Sequence, residues 1–178
     1  MTPVARLSSM ILGLASFGVA RGLAAANREV VPGPGLPSLA ELGITSADLY
    51  NMGRPVESSM SDTSFTSQYG AKCGPDGDAY VDVDDIIACY HYLRRLNQNC
   101  VVPDNHKPSY FCVAGAGKVT GQSVTPHSTS SPCRNVAKTV LWTIDHCTRP
   151  DRTVAGVGKA WGNGDLLVGS FNKDYTLH

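Results

Sequence analysis

Val113-Ala114-Gly115-Ala116-Gly117-Lys118-Val119-Thr120-Gly121 and Val154-Ala155-Gly156-Val157-Gly158-Lys159-Ala160-Trp161-Gly162 echo one another in the second half of the chain. Each follows an amphipathic run bracketed by cysteines, Cys89 to Cys100 for the first and Cys133 to Cys147 for the second. Cysteine, helix, cysteine and Gly-rich strand, met twice, read as one folding unit used twice. Two copies cannot build a solenoid. The expected product is a layered α+β sandwich in which two helices pack on an antiparallel β-sheet.

The first helix is expected to start near Asp82 to Asp85, where carboxylates can cap free N–H groups and suit the positive helix end. Ile86, Cys89, Tyr90, Leu93, Leu96 and Cys100 recur at three- and four-residue steps and form its apolar face. Val101-Val102-Pro103-Asp104 ends it. A strand over Tyr110 to Thr120 follows, then a Gly/Ser/Thr/Pro loop. The second helix begins at Pro132, after Ser130 and Ser131, and buries Cys133, Val136, Ala137, Val140, Ile144 and Cys147. Thr153 to Trp161, a turn at Asn163-Gly164 and Asp165 to Phe171 predict a closing hairpin.

All six cysteines (Cys73, Cys89, Cys100, Cys112, Cys133 and Cys147) fall in this region. An even number in a chain with an export-like leader reads as three disulfides. Zinc would need a C-x-x-C pair or a Cys/His cluster, and neither is present. If both helices are continuous, Cys89 and Cys100 lie about 16 Å apart and Cys133 and Cys147 about 21 Å. Both distances exceed the Cα limit of about 7 Å for a bridge. Of roughly fifteen possible pairings about ten survive, and in all of them each helix is stapled to another element.

The leader is Met1 to Ala26: Arg6 supplies positive charge, Ser9 to Ala20 an apolar core, and Ala24-Ala25-Ala26 a small-residue cut site. Such a run is too short to span a bilayer, and no other apolar run approaches about 20 residues. A secreted, extracellular protein with no transmembrane segment is expected. Residues 27–72 carry the breaker cluster Val31-Pro32-Gly33-Pro34-Gly35-Leu36-Pro37 and a Ser/Thr-rich stretch. They read as a flexible N-terminal arm or a pro-segment preceding a cysteine-rich domain at 73–178.

The chain has zero formal net charge, and from Cys73 onward ten Lys/Arg balance ten Asp with no Glu. No basic stripe marks a nucleic-acid ligand or an anionic membrane. The Gly-x-Gly-Lys runs are not phosphate loops. Cys112 and Thr153 stand where the first glycine belongs, and Val119 and Ala160 follow the lysines. The carboxylates Asp76, Asp78, Asp82, Asp84 and Asp85 partly space like a calcium loop. Val81 and Ile87 occupy the glycine and glutamate positions, so helix capping is the simpler reading. No metal ligand and no cofactor is expected.

Catalysis is not expected either: no G-x-S-x-G elbow and no His/Glu metal motif occurs. A hydrolase would need His91 or His146 beside an Asp in a cleft. Trp142 falls among Asn135, Lys138, Thr139, Asp145 and His146, off the apolar stripe of the second helix. An exposed tryptophan with Lys138 on the same face is the candidate binding contact.

Three groups of residues resemble small secreted cysteine-rich proteins of filamentous fungi, usually described as candidate effectors. The first is Phe111-Cys112 with Ala114-Gly115-Ala116-Gly117-Lys118-Val119-Thr120-Gly121. The second joins Ser130-Ser131-Pro132-Cys133-Arg134-Asn135-Val136-Ala137 to Ile144-Asp145-His146-Cys147-Thr148-Arg149-Pro150-Asp151. The third joins Gly156 and Gly158 to Ala160-Trp161-Gly162-Asn163-Gly164-Asp165-Leu166-Leu167-Val168. The closing pattern is also similar to virally encoded killer toxins of smut fungi, with extracellular-protein-2 necrosis-inducing effectors as neighbours. The resemblance implies a monomer of two helices on an antiparallel sheet that binds a protein or glycan on a host or competitor cell. A secreted His/Asp hydrolase and a passive cell-wall or matrix protein are the alternatives.

Overall fold

The computed structural model describes residues 28–56, 70–104 and 107–176; the expected leader lies outside them. In chain order they form β1 (Val30–Pro32), α1 (Ser46–Asn51), β2 (Lys72–Cys73), β3 (Val81–Asp82), α2 (Val83–Arg95), β4 (Asn99–Val102), β5 (Ser109–Ala114), β6 (Gly117–Ser123), β7 (Thr129–Pro132), α3 (Cys133–Cys147), β8 (Thr153–Val154), β9 (Gly156–Ala160) and β10 (Asn163–Asn172). Six strands make one antiparallel sheet in the order β1-β5-β6-β10-β9-β2. Two short ribbons, β3–β8 and β4–β7, stand beside it as separate two-stranded sheets. Three helices pack with this sheet, so the α+β sandwich holds: the two long helices expected, and the short α1 inside Leu39 to Met52, where the sequence allows a short helix.

The repeated unit is real, but its sequence echo is out of register. In the first half α2 packs on the hairpin β5–β6, and in the second α3 packs on the hairpin β9–β10. β6 and β10 join the halves, pairing from Leu166↔Ser123 to Asn172↔Gly117. The turn of the first hairpin is Gly115-Ala116, with Gly115 at φ +53°. The matching turn of the second is Trp161-Gly162, with Gly162 at φ +75°. Gly115 echoes Gly156 in the sequence, yet Gly156 lies inside β9, where an added Cβ would sit 2.8 Å from a methyl of Thr143. One glycine supplies a turn, the other a close helix approach. The predicted single strand over Tyr110 to Thr120 is therefore a hairpin. The Asn163-Gly164 turn is corrected too: both residues open β10, and the pairing with β9 shifts register between Asn163 and Leu167.

The first helix is shorter than its apolar periodicity suggests. Asp82 caps it by accepting from the Asp84 N–H, and it stops at Arg95 with Leu96 already extended. Cys100 sits on β4, where Val101-Val102 before Pro103 favours extended backbone over helix. The bridges are Cys73–Cys147, Cys89–Cys112 and Cys100–Cys133. They tie α3 to an edge strand, α2 to its own hairpin, and the β4–β7 ribbon to the start of α3. Neither excluded pair forms, although the distance argument for Cys89 and Cys100 assumed a helix that ends sooner.

The segment 28–56, expected as a flexible arm or pro-segment, is packed onto the domain. β1 extends the sheet beside β5, with Val30↔Ala114 and Pro32↔Cys112 in register. α1 opens with a capping box between Thr45 and Asp48, and its Leu49 is fully buried. Burying a leucine completely contributes about 1.5–3 kcal/mol. Tyr92 donates to the Pro37 carbonyl, and Tyr50 donates to the buried carboxylate of Asp85. The packed unit thus starts well before Cys73.

The cleft between the two helices

α2 and α3 lie side by side on the sheet, and a cleft of about 450 Å³ opens where the end of the first meets the start of the second. Arg94 and Arg95 come from the last turn of α2, and Arg134 and Lys138 from the first turns of α3. Tyr90, Leu96, Asn97 and Ala137 form the floor and flank. The Cys100–Cys133 bridge and the Cys133 N–H, which donates to the Gln98 carbonyl at 2.9 Å, hold these two helix ends together.

Four cations therefore converge, and among the described residues no Asp or Glu lines the cleft. Arg134 donates to the Asn97 side-chain oxygen at 2.6 Å, and Arg95 points at the Met52 sulfur at 3.3 Å, with the Asp48 carboxylate of α1 near enough to interact with its charge. Lys138 lies with its Nζ 5.0 Å from the centre of the Trp161 ring. The start of α3 adds to the field, since no side chain caps it and its first turn holds no acid. The opposite end of the same helix pair is different: Arg54 pairs with Asp145 at 3.3 Å, and Arg152 with Asp84 at 2.8 Å. At one end of the interhelical seam arginines pair with aspartates, and at the other four basic residues line the cleft.

Lys138 thus stands half-buried on the rim of the cleft, on the helix where sequence reasoning put a contact. Trp142 does not. The middle of the expected polar face of α3 is covered, because Thr139 donates to the Lys159 carbonyl on β9 and Thr143 packs beside Gly156, while Asp145 and His146 stay exposed. Trp142 is only 5 % exposed, its ring stacked on His146 at 4.7 Å. An exposed tryptophan contact is not available at that position. Arg94, Arg95 and Arg134 were missed. A readable signal existed: Arg134, in the first turn of its helix, opposes the helix dipole, a placement that costs a few tenths of a kcal/mol unless an anion answers it.

The other candidates resolve into structural roles. Asp76 accepts from the Asp78 N–H and the Tyr175 hydroxyl, Asp82 caps α2 and pairs with Arg28, and Asp84 pairs with Arg152. His91 Nε2 meets the Gly53 carbonyl at 2.8 Å, and burial pushes its pKa down, with Arg95 and Arg94 adding to the shift. His146 Nδ1 meets the Trp142 carbonyl at 2.9 Å. No helix of the described residues is long and apolar enough to cross a membrane.

Fold and cleft together define a three-disulfide α+β sandwich domain with a cationic seam between its helices. Residues 68–170, more than half of the chain, match the model of a domain family of unknown function (DUF8794), and the chain belongs to that family. No curated protein and no solved structure matches it.

Proposed function

We propose that the chain is a secreted effector- or killer-toxin-like protein that acts by binding a component of a host or competitor cell surface, and that the interhelical cleft is its contact. The carrying observation is that Arg94, Arg95, Arg134 and Lys138 line one cleft with no carboxylate among its lining residues, in a chain whose charges balance overall. Arginine forks suit anionic groups, and positive charge gathered at one spot steers an anionic surface without giving the molecule a basic stripe. Three disulfides suit an oxidising, extracellular setting, and so does the leader-like start of the chain. The resemblance to fungal secreted cysteine-rich proteins agrees with this reading.

The test exposes plant leaf tissue and competing fungal cells to the purified oxidised protein, scoring bound protein and ion leakage. Reduced and alkylated protein and a charge-reversed Arg95→Glu/Arg134→Glu variant serve as comparisons. Binding to one of the two surfaces, lost on reduction and reduced about tenfold or more by charge reversal, is the expected result. Undiminished binding by the charge-reversed variant, or binding to neither surface, would remove the cleft from the function.

A further inference from the structure

We infer that the Cys73–Cys147 bridge is a thiol-sensitive clasp. A low-molecular-weight thiol opens it while the other two bridges stay closed, and its opening frees strand β2 from the edge of the sheet. The three bridges differ in access. Cys89, Cys112, Cys100 and Cys133 are fully buried and Cys147 is 4 % exposed, whereas Cys73 is exposed on β2. The Cys73 sulfur lies 3.6 Å from the His146 carbonyl, in an exposed contact. Exchange requires a thiolate to reach one of the two sulfurs. A bridge with an open end therefore reacts in the folded state, while a bridge buried at both ends waits for the chain to open. Selection is by access and not by worth to stability, because the loop closed by Cys73–Cys147 is the longest of the three.

The thiolate attacks the Cys73 sulfur. A mixed disulfide forms, the bridge breaks, and Cys147 leaves as a thiolate that takes up a proton. A second thiolate then attacks the outer sulfur of the mixed disulfide. Cys73 leaves as a thiolate and is protonated in turn, and the reductant is released as its own disulfide. Two electrons thus pass from two small thiols to the bridge.

Little besides the bridge holds β2. The strand is two residues long and lies at the margin of the sheet, paired with β9 through Lys72↔Val157 and Cys73↔Gly156. Gly74 adds one bond, donating to the Ala155 carbonyl at 3.1 Å. From Gly70 to Pro75 the buried apolar side chain is that of Ala71, which lies over Gly158. Cys89–Cys112, by contrast, joins a 13-residue helix to an inner strand. With the clasp open, β2 leaves and the glycine-bearing edge of β9 is uncovered, where another extended segment can pair. The cleft stays intact, since Cys147 ends α3 and Arg134 stands near its start. The inference is therefore independent of the cleft being the contact.

The experiment incubates the full chain, disulfides intact, with reduced glutathione in mildly alkaline buffer. Free thiols are trapped with N-ethylmaleimide and mapped by peptide mass spectrometry. Cys73 and Cys147 should be alkylated about tenfold or more faster than the other four cysteines. The circular dichroism spectrum should be retained, and low urea should not speed the reaction, because a reaction by direct access needs no unfolding. Hydrogen exchange in the trapped product should rise at residues 70–74 and in β9, and stay unchanged in β5 and β6. The double variant Cys73→Ala/Cys147→Ala should show the same exchange pattern without any thiol. Should that variant fail to fold, the wild-type arm decides alone.

Any of four outcomes would overturn the inference. Cys73–Cys147 could resist glutathione, another bridge could open first, or all three could open together as the chain unfolds. The fourth is an opened Cys73–Cys147 bridge with exchange in β9 unchanged, which would show that the bridge does not hold the strand.

Discussion

Asp85 shows how one side chain can explain features that look unrelated in sequence. Its side chain is 3 % exposed, and it accepts from the Tyr50 hydroxyl at 2.8 Å, the Ala116 N–H at 2.9 Å and Arg28 at 3.2 Å. Burial raises its pKa, and the hydrogen bonds from Ala116 and Tyr50 and the charge of Arg28 oppose that rise. The carboxylate thereby fastens three parts: the N-terminal segment through Arg28 and Tyr50, the start of α2, and the first hairpin turn. It also explains Gly115, where an added Cβ would lie 2.5 Å from Asp85 Oδ1 on a backbone at φ +53°. Asp85→Ala leaves the Ala116 N–H and a half-buried tyrosine hydroxyl without their acceptor. A loss of about 1–3 kcal/mol in urea unfolding is expected, the range for leaving hydrogen-bonding groups without their partner. A loss below about 1 kcal/mol would mean that water replaces the carboxylate at little cost.

At the scale of elements, the least legible part was the docking of residues 28–56. Periodicity and caps report local structure, whereas β1 is held by strand pairing to β5, more than seventy residues downstream. Val31-Pro32-Gly33 reads as a chain breaker, yet Gly33 is needed because an added Cβ would meet the Tyr110 carbonyl at 2.1 Å. The two main helices were legible because their apolar faces repeat cleanly, and the end of the first was not, because Leu96 and Cys100 continue its period into a strand. The cationic cleft was half-legible: Lys138 was visible on its helix, but Arg94 and Arg95 join it only through the packing of α2 against α3. His91 gives the docked segment a pH dependence, since its contact with Gly53 lies just past α1. Its folded pKa is lowered below 6.5 by burial, so the unfolded chain takes up the proton first as pH falls. Stability from this group is therefore undiminished above about pH 6.5 and declines progressively below it. His91→Gln should flatten the dependence of the unfolding midpoint between about pH 7 and 5 relative to wild type. Parallel profiles would assign that dependence to other groups.

For the whole molecule, the three disulfides act as staples of nearly equal worth. Closing loops with sequence separations of 74, 33 and 23 residues restricts the unfolded chain by about 4.4, 3.7 and 3.4 kcal/mol respectively. On that ground alone Cys73–Cys147 would dominate by about 1 kcal/mol. Packing works against it. Cys73 is exposed on the edge strand, whereas Cys89, Cys112, Cys100 and Cys133 are fully buried. Replacing a buried sulfur by hydrogen leaves a methyl-sized void costing about 0.5–1.5 kcal/mol, and the two inner bridges each leave two such voids. Cys73–Cys147 leaves one, because Cys147 alone of that pair is buried at 4 %. The extra void of about 1 kcal/mol offsets the shorter loop. The three paired Cys→Ala variants should therefore lose stability within about 1 kcal/mol of one another in guanidinium unfolding. They should part in function, because only Cys100–Cys133 braces the start of α3 against the chain leaving α2. That variant should lose cleft binding at conditions where all three remain folded. If the Cys73–Cys147 variant lost binding equally, the cleft would depend on the clamping of α3 at its far end and not on the local brace.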